Sequence, residues 1–76
     1  MPLYFFHVRY KEPLPDDDGV VLADAHAAWA QATQACGEMI RDMNGKLEPG
    51  RELRMEVADE HGKMLFALRM SAEIYD

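Results

Sequence analysis

The chain has 76 residues, of which 14 are acidic and 8 basic, giving a formal net charge of −6 and a pI near 4.9. Duplex nucleic acid and anionic membranes attract proteins mainly through Lys and Arg, so this charge balance disfavours both as partners. A chain of this length is expected to form one domain, residues 1–76, and to bury only about 60% of its unfolded surface. Association with a second copy or another protein would add buried area to such a small core.

The cysteine and apolar segments give an expectation about the compartment. The single cysteine, Cys36, cannot form an internal disulfide, so nothing in the sequence requires an oxidising compartment. The apolar N-terminal segment is too short for a signal peptide, and no run approaches the ~18 apolar residues needed to cross a bilayer. We therefore expect a cytoplasmic protein.

Two strands are predicted before the helix. Residues 4–10 alternate in the aromatic, period-two pattern of a strand. Residues 11–19 contain Pro13, Pro15 and three aspartates, and they are predicted to form a loop because proline removes a ladder donor. Gly19 leads into a short second strand at residues 20–22, which is expected to form a hairpin with the first.

A helix is predicted from Ala25 to Met43, with Asp24 as its N-cap and Asn44-Gly45 as its left-handed stop. Apolar residues recur along it at spacings of three and four and form one stripe. The stripe consists of Ala25, Ala28, Trp29, Ala32, Cys36, Met39, Ile40 and Met43. Gly37 lies inside the helix, where its missing side chain would allow a close approach to the sheet.

Two more strands are predicted after the helix, at residues 53–58 and 64–70, joined by a turn that ends at Gly62. Met55, Met64 and Met70 share the helix-facing parity and are predicted to fill the core. Residues 71–76 are predicted to be a tail. The order β-β-α-β-β predicts an α+β fold, with a four-stranded, mainly antiparallel sheet and one helix packed on one face. The aromatic first strand is expected to be central.

Short motifs near the two ends of the chain carry a resemblance to other proteins. Residues 4–8 read Tyr-Phe-Phe-His-Val, followed by Asp18-Gly19-Val20, and residues 57–62 match Val-x-Asp-x-x-Gly. In these features the chain resembles a family of short bacterial proteins of unknown function, and the resemblance covers nearly the whole chain. It implies a free-standing β-β-α-β-β domain and brings no activity with it.

The residues that most often carry catalysis or bind metals are dispersed. His7, His26 and His61 come from a strand, the helix start and a turn, without the short pair spacing that is common in zinc sites. Cys36 lies on the apolar helix stripe and is interpreted as a buried, inert thiol. We therefore predict no catalytic residue, no metal site and no cofactor, and expect that the protein is not an enzyme.

Asp16, Asp17 and Asp18 form an acidic run beside Gly19. A calcium loop of the helix–loop–helix type needs alternating ligands and a bidentate glutamate, and both are missing here. The run is interpreted as a solvated turn.

One face of the predicted sheet has no helix to cover it. Strand parity assigns to this face Phe5, His7, Arg54, Glu56, Leu65 and Ala67. An apolar centre with a polar rim is typical of interaction surfaces. We predict a binding module that forms a homodimer through this face or a strand edge, and that could bind an unknown protein. The alternative is a small acidic regulatory or antitoxin-like protein that inhibits its partner through Asp16, Asp17 and Asp18.

Overall fold

The computed structural model describes residues 1–75. The elements are β1 (Leu3–Tyr10), β2 (Glu12–Leu14), β3 (Val20–Val21), α1 (Ala25–Met43), β4 (Glu52–Asp59) and β5 (Met64–Ser71). All strands are antiparallel and lie in the order β2-β1-β4-β5, while β3 also pairs with β1. The α+β prediction is confirmed, and β1 is an interior strand as expected.

The segment between the first two predicted strands contains an additional strand. β2 folds back on β1, so that Val8 lies opposite Leu14 and Tyr10 lies opposite Glu12. Lys11 forms the turn between them with a φ of 65°, which is uncommon for a residue other than glycine. The prediction of an uninterrupted loop at residues 11–19 is therefore wrong, and residues 1–75 form a sheet of five strands instead of the predicted four. Proline is tolerated in β2 because β2 lies at the edge of the sheet.

The ends of α1 lie where the capping residues predict them. The Asp24 side chain accepts a hydrogen bond from the Ala27 backbone N–H at 2.9 Å, as an N-cap does. Asn44 adopts a left-handed conformation, with a φ of 50°, and donates its backbone N–H to the Arg41 carbonyl. Gly37 is exposed, and a Cβ built on it would meet nothing within 4 Å. The predicted close approach at Gly37 is therefore wrong.

The core lies between α1 and the middle of the sheet. It is formed by Tyr4, Ala28, Ala32, Cys36, Met55 and Val57. The helix contributes only small side chains to this cluster, which lets it lie close to β4. Trp29 remains 44% exposed and packs edge-on against Phe66 of β5, with ring centroids 5.0 Å apart. Val57 is the largest fully buried side chain, so the core is small.

A β-bulge changes the parity of β5 near its start. Val57 lies opposite Phe66, but Ala58 lies opposite Met64, so Leu65 has no partner of its own. Met64 therefore lies on the same face of the sheet as Ala58, opposite the helix, and is 49% exposed. Leu65 packs against the core cluster. The core position predicted for Met64 and the helix-free position predicted for Leu65 are both wrong, because one extra residue shifts the alternation.

The segment that follows β5 is irregular at residues 72–75. Ser71 belongs to β5, so the irregular tail begins one residue later than predicted, and Asp76 lies outside the described residues. Over residues 1–75, no helix combines the length and apolar character needed to span a membrane.

Candidate interaction surfaces

The face of the sheet opposite α1 consists of cross-strand rows. One row contains Phe5, Ala58 and Met64, the next contains His7, Glu56 and Ala67, and the third contains Arg9, Arg54 and Arg69. Five of the six residues predicted for the helix-free face lie in these rows, and the bulge removes Leu65. Arg54 and Glu56 form an ion pair on this face, with 3.3 Å between Nη2 and Oε2. The centre of the face is therefore more polar than parity suggested.

Asp16 connects the loop between β2 and β3 to the edge of β1. Its Oδ2 accepts the Phe6 backbone N–H at 3.1 Å, and its own N–H donates to His7 Nδ1 at 3.0 Å. Its Oδ1 accepts the backbone N–H groups of Asp18 and Gly19, both at 3.1 Å. Asp16 thus occupies the gap between the two short strands, and the interpretation of the whole acidic run as a solvated turn is wrong at this residue.

The hydrogen bonds to Asp16 favour the ionised form of its side chain and lower its pKa. The backbone N–H of Gly19 is the largest cause lowering the pKa of Asp16, and those of Phe6 and Asp18 act in the same direction against desolvation. Asp17 and Asp18 are exposed, so two carboxylates of the predicted acidic loop remain open to solvent.

Phe5 and His7 are held in place by the same loop. Their rings stack with centroids 6.3 Å apart and planes 5° apart. A Cβ on Gly19 would lie 3.0 Å from Phe5 Cε1 and 3.0 Å from Leu3 Cδ1, so the loop lies directly against these side chains. His7 accepts a hydrogen bond at Nδ1, which therefore carries no proton in this arrangement. Both residues are half-buried and serve the fold on this side of the face.

The two edges of the sheet differ in how they are covered. On the β1 side, β2, β3 and the Asp16 loop occupy the edge. On the other side, β5 pairs with β4 alone among residues 1–75, which leaves an eight-residue edge open. This edge strand contains no proline and one charged residue, Arg69. Edge strands that are protected against pairing are usually short or carry several charges, prolines or a bulge, and of these β5 has the bulge at Leu65 near its start.

A basic cleft lies at the end of the sheet where the arginine row meets the loop before β4. It has a volume of about 390 Å³ and is lined by Arg9, Lys11, Gly50, Arg51, Glu52 and Arg54. Glu48 accepts hydrogen bonds from Lys11 Nζ at 2.6 Å and from Arg51 Nε at 2.7 Å, which connects two cations of the rim. Sequence reasoning did not find this cleft, because only the strand register brings Arg9, Arg54 and Arg69 together.

Comparison with known proteins places the chain in a family. Residues 3–71 match a domain of unknown function, DUF6894. The chain belongs to this family. No curated protein and no solved structure matches the chain. The predicted resemblance is thus confirmed in one respect: residues 3–71 form a domain whose family has no known function.

The remaining reactive groups of this DUF6894 domain are isolated from one another. Cys36 is buried, as predicted, and its burial raises the pKa of the thiol. Its Sγ lies 3.9 Å from Met55 Sδ, beneath the helix. His26 and His61 are exposed. Across residues 1–75, no three His, Cys, Asp or Glu side chains converge to hold a metal ion.

Proposed function

We propose that this DUF6894 domain is a non-enzymatic interaction module that forms a homodimer through the open edge of β5. The observation that carries the proposal is the eight-residue edge of Met64–Ser71, which within the described part of the chain pairs with β4 on one side only. Unpaired N–H and C=O groups in a row form a template for another strand. A second copy offers the same edge, and a two-fold axis would satisfy both edges at once.

The solvent-accessible area of the chain is larger than that expected for a monomer, which supports burial of part of it by a partner. The chain exposes 5437 Å², whereas a folded monomer of this mass exposes about 4,700 Å². The excess is close to the roughly 800 Å² that each partner buries in a stable interface. The radius of gyration of 13.4 Å is also larger than the value of about 11.4 Å expected for a chain of this length. Ile74 and Tyr75 in the tail contribute part of the excess, since both are more than 70% exposed.

The position of Trp29 supports pairing at this edge. An antiparallel β5–β5 contact has its two-fold axis perpendicular to the sheet, so both copies of α1 lie on the same side. Trp29 packs on Phe66 of β5 and is 44% exposed, which places a large aromatic surface next to the seam. Aromatic residues that are half-exposed in a monomer are common anchors of interfaces.

The separation of the reactive groups supports a non-enzymatic role. The Cys36 thiol is buried beside Met55, and no histidine among residues 1–75 is hydrogen-bonded to it, so it lacks the general base that a nucleophile requires. His7 is engaged by the Asp16 backbone at Nδ1. General acid–base catalysis needs positioned titratable groups within reach of one substrate, and these side chains lie in different parts of the fold.

The experiment compares the solution mass of the wild type with those of two lysine variants, by light scattering over a range of concentrations. Ala67 is exposed and lies at the middle of β5, so in a full-length β5–β5 pairing Ala67→Lys brings two ammonium groups together. Within one chain, Glu56 lies opposite this position and can pair with the lysine. The matched control is Ala30→Lys, which changes an exposed alanine on α1.

We expect the wild type and Ala30→Lys to have twice the chain mass of 8.7 kDa, and Ala67→Lys to be monomeric at the same concentration. Dilution of the wild type should also change the Trp29 emission and increase hydrogen exchange at β5 amides. A wild type that stays monomeric at high concentration would refute the proposal. A dimer whose Trp29 emission and β5 exchange do not change on dilution would place the contact on the helix-free face instead.

The acidic inhibitor is the second candidate, and it has less support. Asp16 is engaged in hydrogen bonds within the fold, so only Asp17 and Asp18 of the run are open to a basic partner. Such an association would weaken strongly with salt, whereas a dimer held by strand pairing would change little.

A further inference from the structure

Three arginines lie side by side on the helix-free face, although the chain carries a net charge of −6. Arg9 lies opposite Arg54 across β1 and β4, and Arg54 lies opposite Arg69 across β4 and β5. Like charges that face each other across strands destabilise a sheet. Together with Lys11 and Arg51 on the rim of the basic cleft, the row gathers five of the eight basic residues of the chain.

The surrounding carboxylates neutralise this cluster only in part. Arg54 Nη2 pairs with Glu56, but its Nε is buried and has no hydrogen-bond partner among residues 1–75. Arg9 is exposed and forms no ion pair with any residue in the described range. Arg69 lies 4.0 Å from Glu52, at the limit of an ion pair. Among residues 1–75, Arg9 therefore carries a positive charge that no carboxylate offsets, and the charge of Arg69 is offset weakly.

We propose that the basic cleft binds a phosphate group carried by a small molecule. A guanidinium group presents a planar fork of donors that matches two oxygens of a phosphate, and arginine is therefore favoured at such sites. Arg9 and Arg54 both line the cleft from adjacent strands, and Lys11 and Arg51 lie at its rim, where two cations share the single carboxylate of Glu48. The anion would reduce the repulsion along the arginine row.

The size of the cleft and the charge of the whole chain favour a small ligand over a nucleic acid. The volume of about 390 Å³ falls in the range of small-molecule sites. A long polyanion would have to pass the acidic surface of a chain with a net charge of −6. The cleft is also separate from the β5 edge used in the proposed dimer, so the two proposals can fail independently.

The test uses sodium pyrophosphate and inorganic phosphate as probes, in calorimetric titration and thermal unfolding of the full chain, with sodium chloride at matched ionic strength as the reference. Arg9→Gln removes a cleft arginine that makes no ion pair within residues 1–75, so folding should be retained. Arg41→Gln is the matched control, because Arg41 is exposed on α1, outside the cleft.

We expect pyrophosphate to bind and to raise the melting temperature above the chloride reference, because a ligand that binds only the native state stabilises it. Arg9→Gln should weaken binding roughly tenfold or more, since it removes charge-assisted hydrogen bonds. Arg41→Gln should bind like the wild type. The proposal is refuted if chloride reproduces the effect, if both variants bind equally, or if only an oligonucleotide binds and pyrophosphate does not.

Discussion

The carboxylate of Asp16 takes the place of a neighbouring strand for the backbone N–H of Phe6, at a distance of 3.1 Å. β2 and β3 pair with the two ends of β1, and between them the edge of β1 would otherwise face solvent. Asp16 fills this gap and also orders the turn to Gly19. One side chain therefore joins the two short strands to the rest of the sheet.

Replacing Asp16 with alanine should lower the stability of the domain. Asp16→Ala removes an ionised acceptor of three backbone N–H groups, those of Phe6, Asp18 and Gly19, and we expect a loss of about 1–3 kcal/mol in the free energy of unfolding. Asp17→Ala is the control, because Asp17 is exposed and should change stability by less than about 0.5 kcal/mol. Urea denaturation measures both, and equal losses would show that Asp16 has no special role.

Acidification should remove the contribution of Asp16 ionisation. Its folded-state pKa lies below the ordinary value of 3.8, so the charged form stabilises the fold fully above that value. The contribution is lost as the pH falls below 3.8 and through the folded-state pKa. The stability difference between the wild type and Asp16→Asn should therefore be present at about pH 7 and shrink as the pH falls below 3.8. A constant difference across this range would exclude ionisation as its cause.

Two glycine substitutions should act in opposite directions. Gly37→Ala should stabilise the domain by about 0.5–1 kcal/mol, because the position is helical and exposed and a Cβ there meets nothing within 4 Å. Gly19→Ala should destabilise it by about 1–2 kcal/mol, because the residue has a φ of +74° and its Cβ would contact Leu3 and Phe5 at 3.0 Å. Thermal unfolding of the two proteins tests the pair, and a stabilising Gly19→Ala would contradict the described loop.

The Cys36 thiol should react only when the helix opens. The residue is 5% exposed, and burial raises its pKa, so both access and the thiolate fraction are low in the folded state. A thiol reagent at neutral pH should label native protein slowly, and the rate should rise with urea in step with unfolding. The same reagent with fully denatured protein supplies the reference rate. Rapid labelling under native conditions would mean that α1 does not cover Cys36.

Local sequence signals determined the elements that depend on neighbouring residues. Asp24 and Asn44 fixed the ends of α1 because a cap acts on backbone groups within one turn. The alternation of residues 53–58 likewise indicated β4, whose Leu53, Met55 and Val57 are buried. The α+β class followed from the order of these elements.

The same local reasoning failed where a distant contact or an extra residue decided the outcome. The bulge beside Ala58 reversed the parity of Met64, and alternation alone cannot reveal an inserted residue. β2 exists because β1 supplies its hydrogen bonds, so a segment with two prolines became an edge strand. The hydrogen bond that Asp16 accepts from Phe6 spans ten residues and leaves no periodic signal.

The sequence by itself determined the fold class, the bounds of the helix and the strand that would lie inside the sheet, since these depend on local propensity, capping and hydrophobic alternation. Only the tertiary structure decided which charges meet. Arg9, Arg54 and Arg69 are far apart in the chain and become neighbours through strand register alone. The open edge of β5 depends in the same way on strand order, which is set by long-range pairing and packing rather than by the residues of the strand itself.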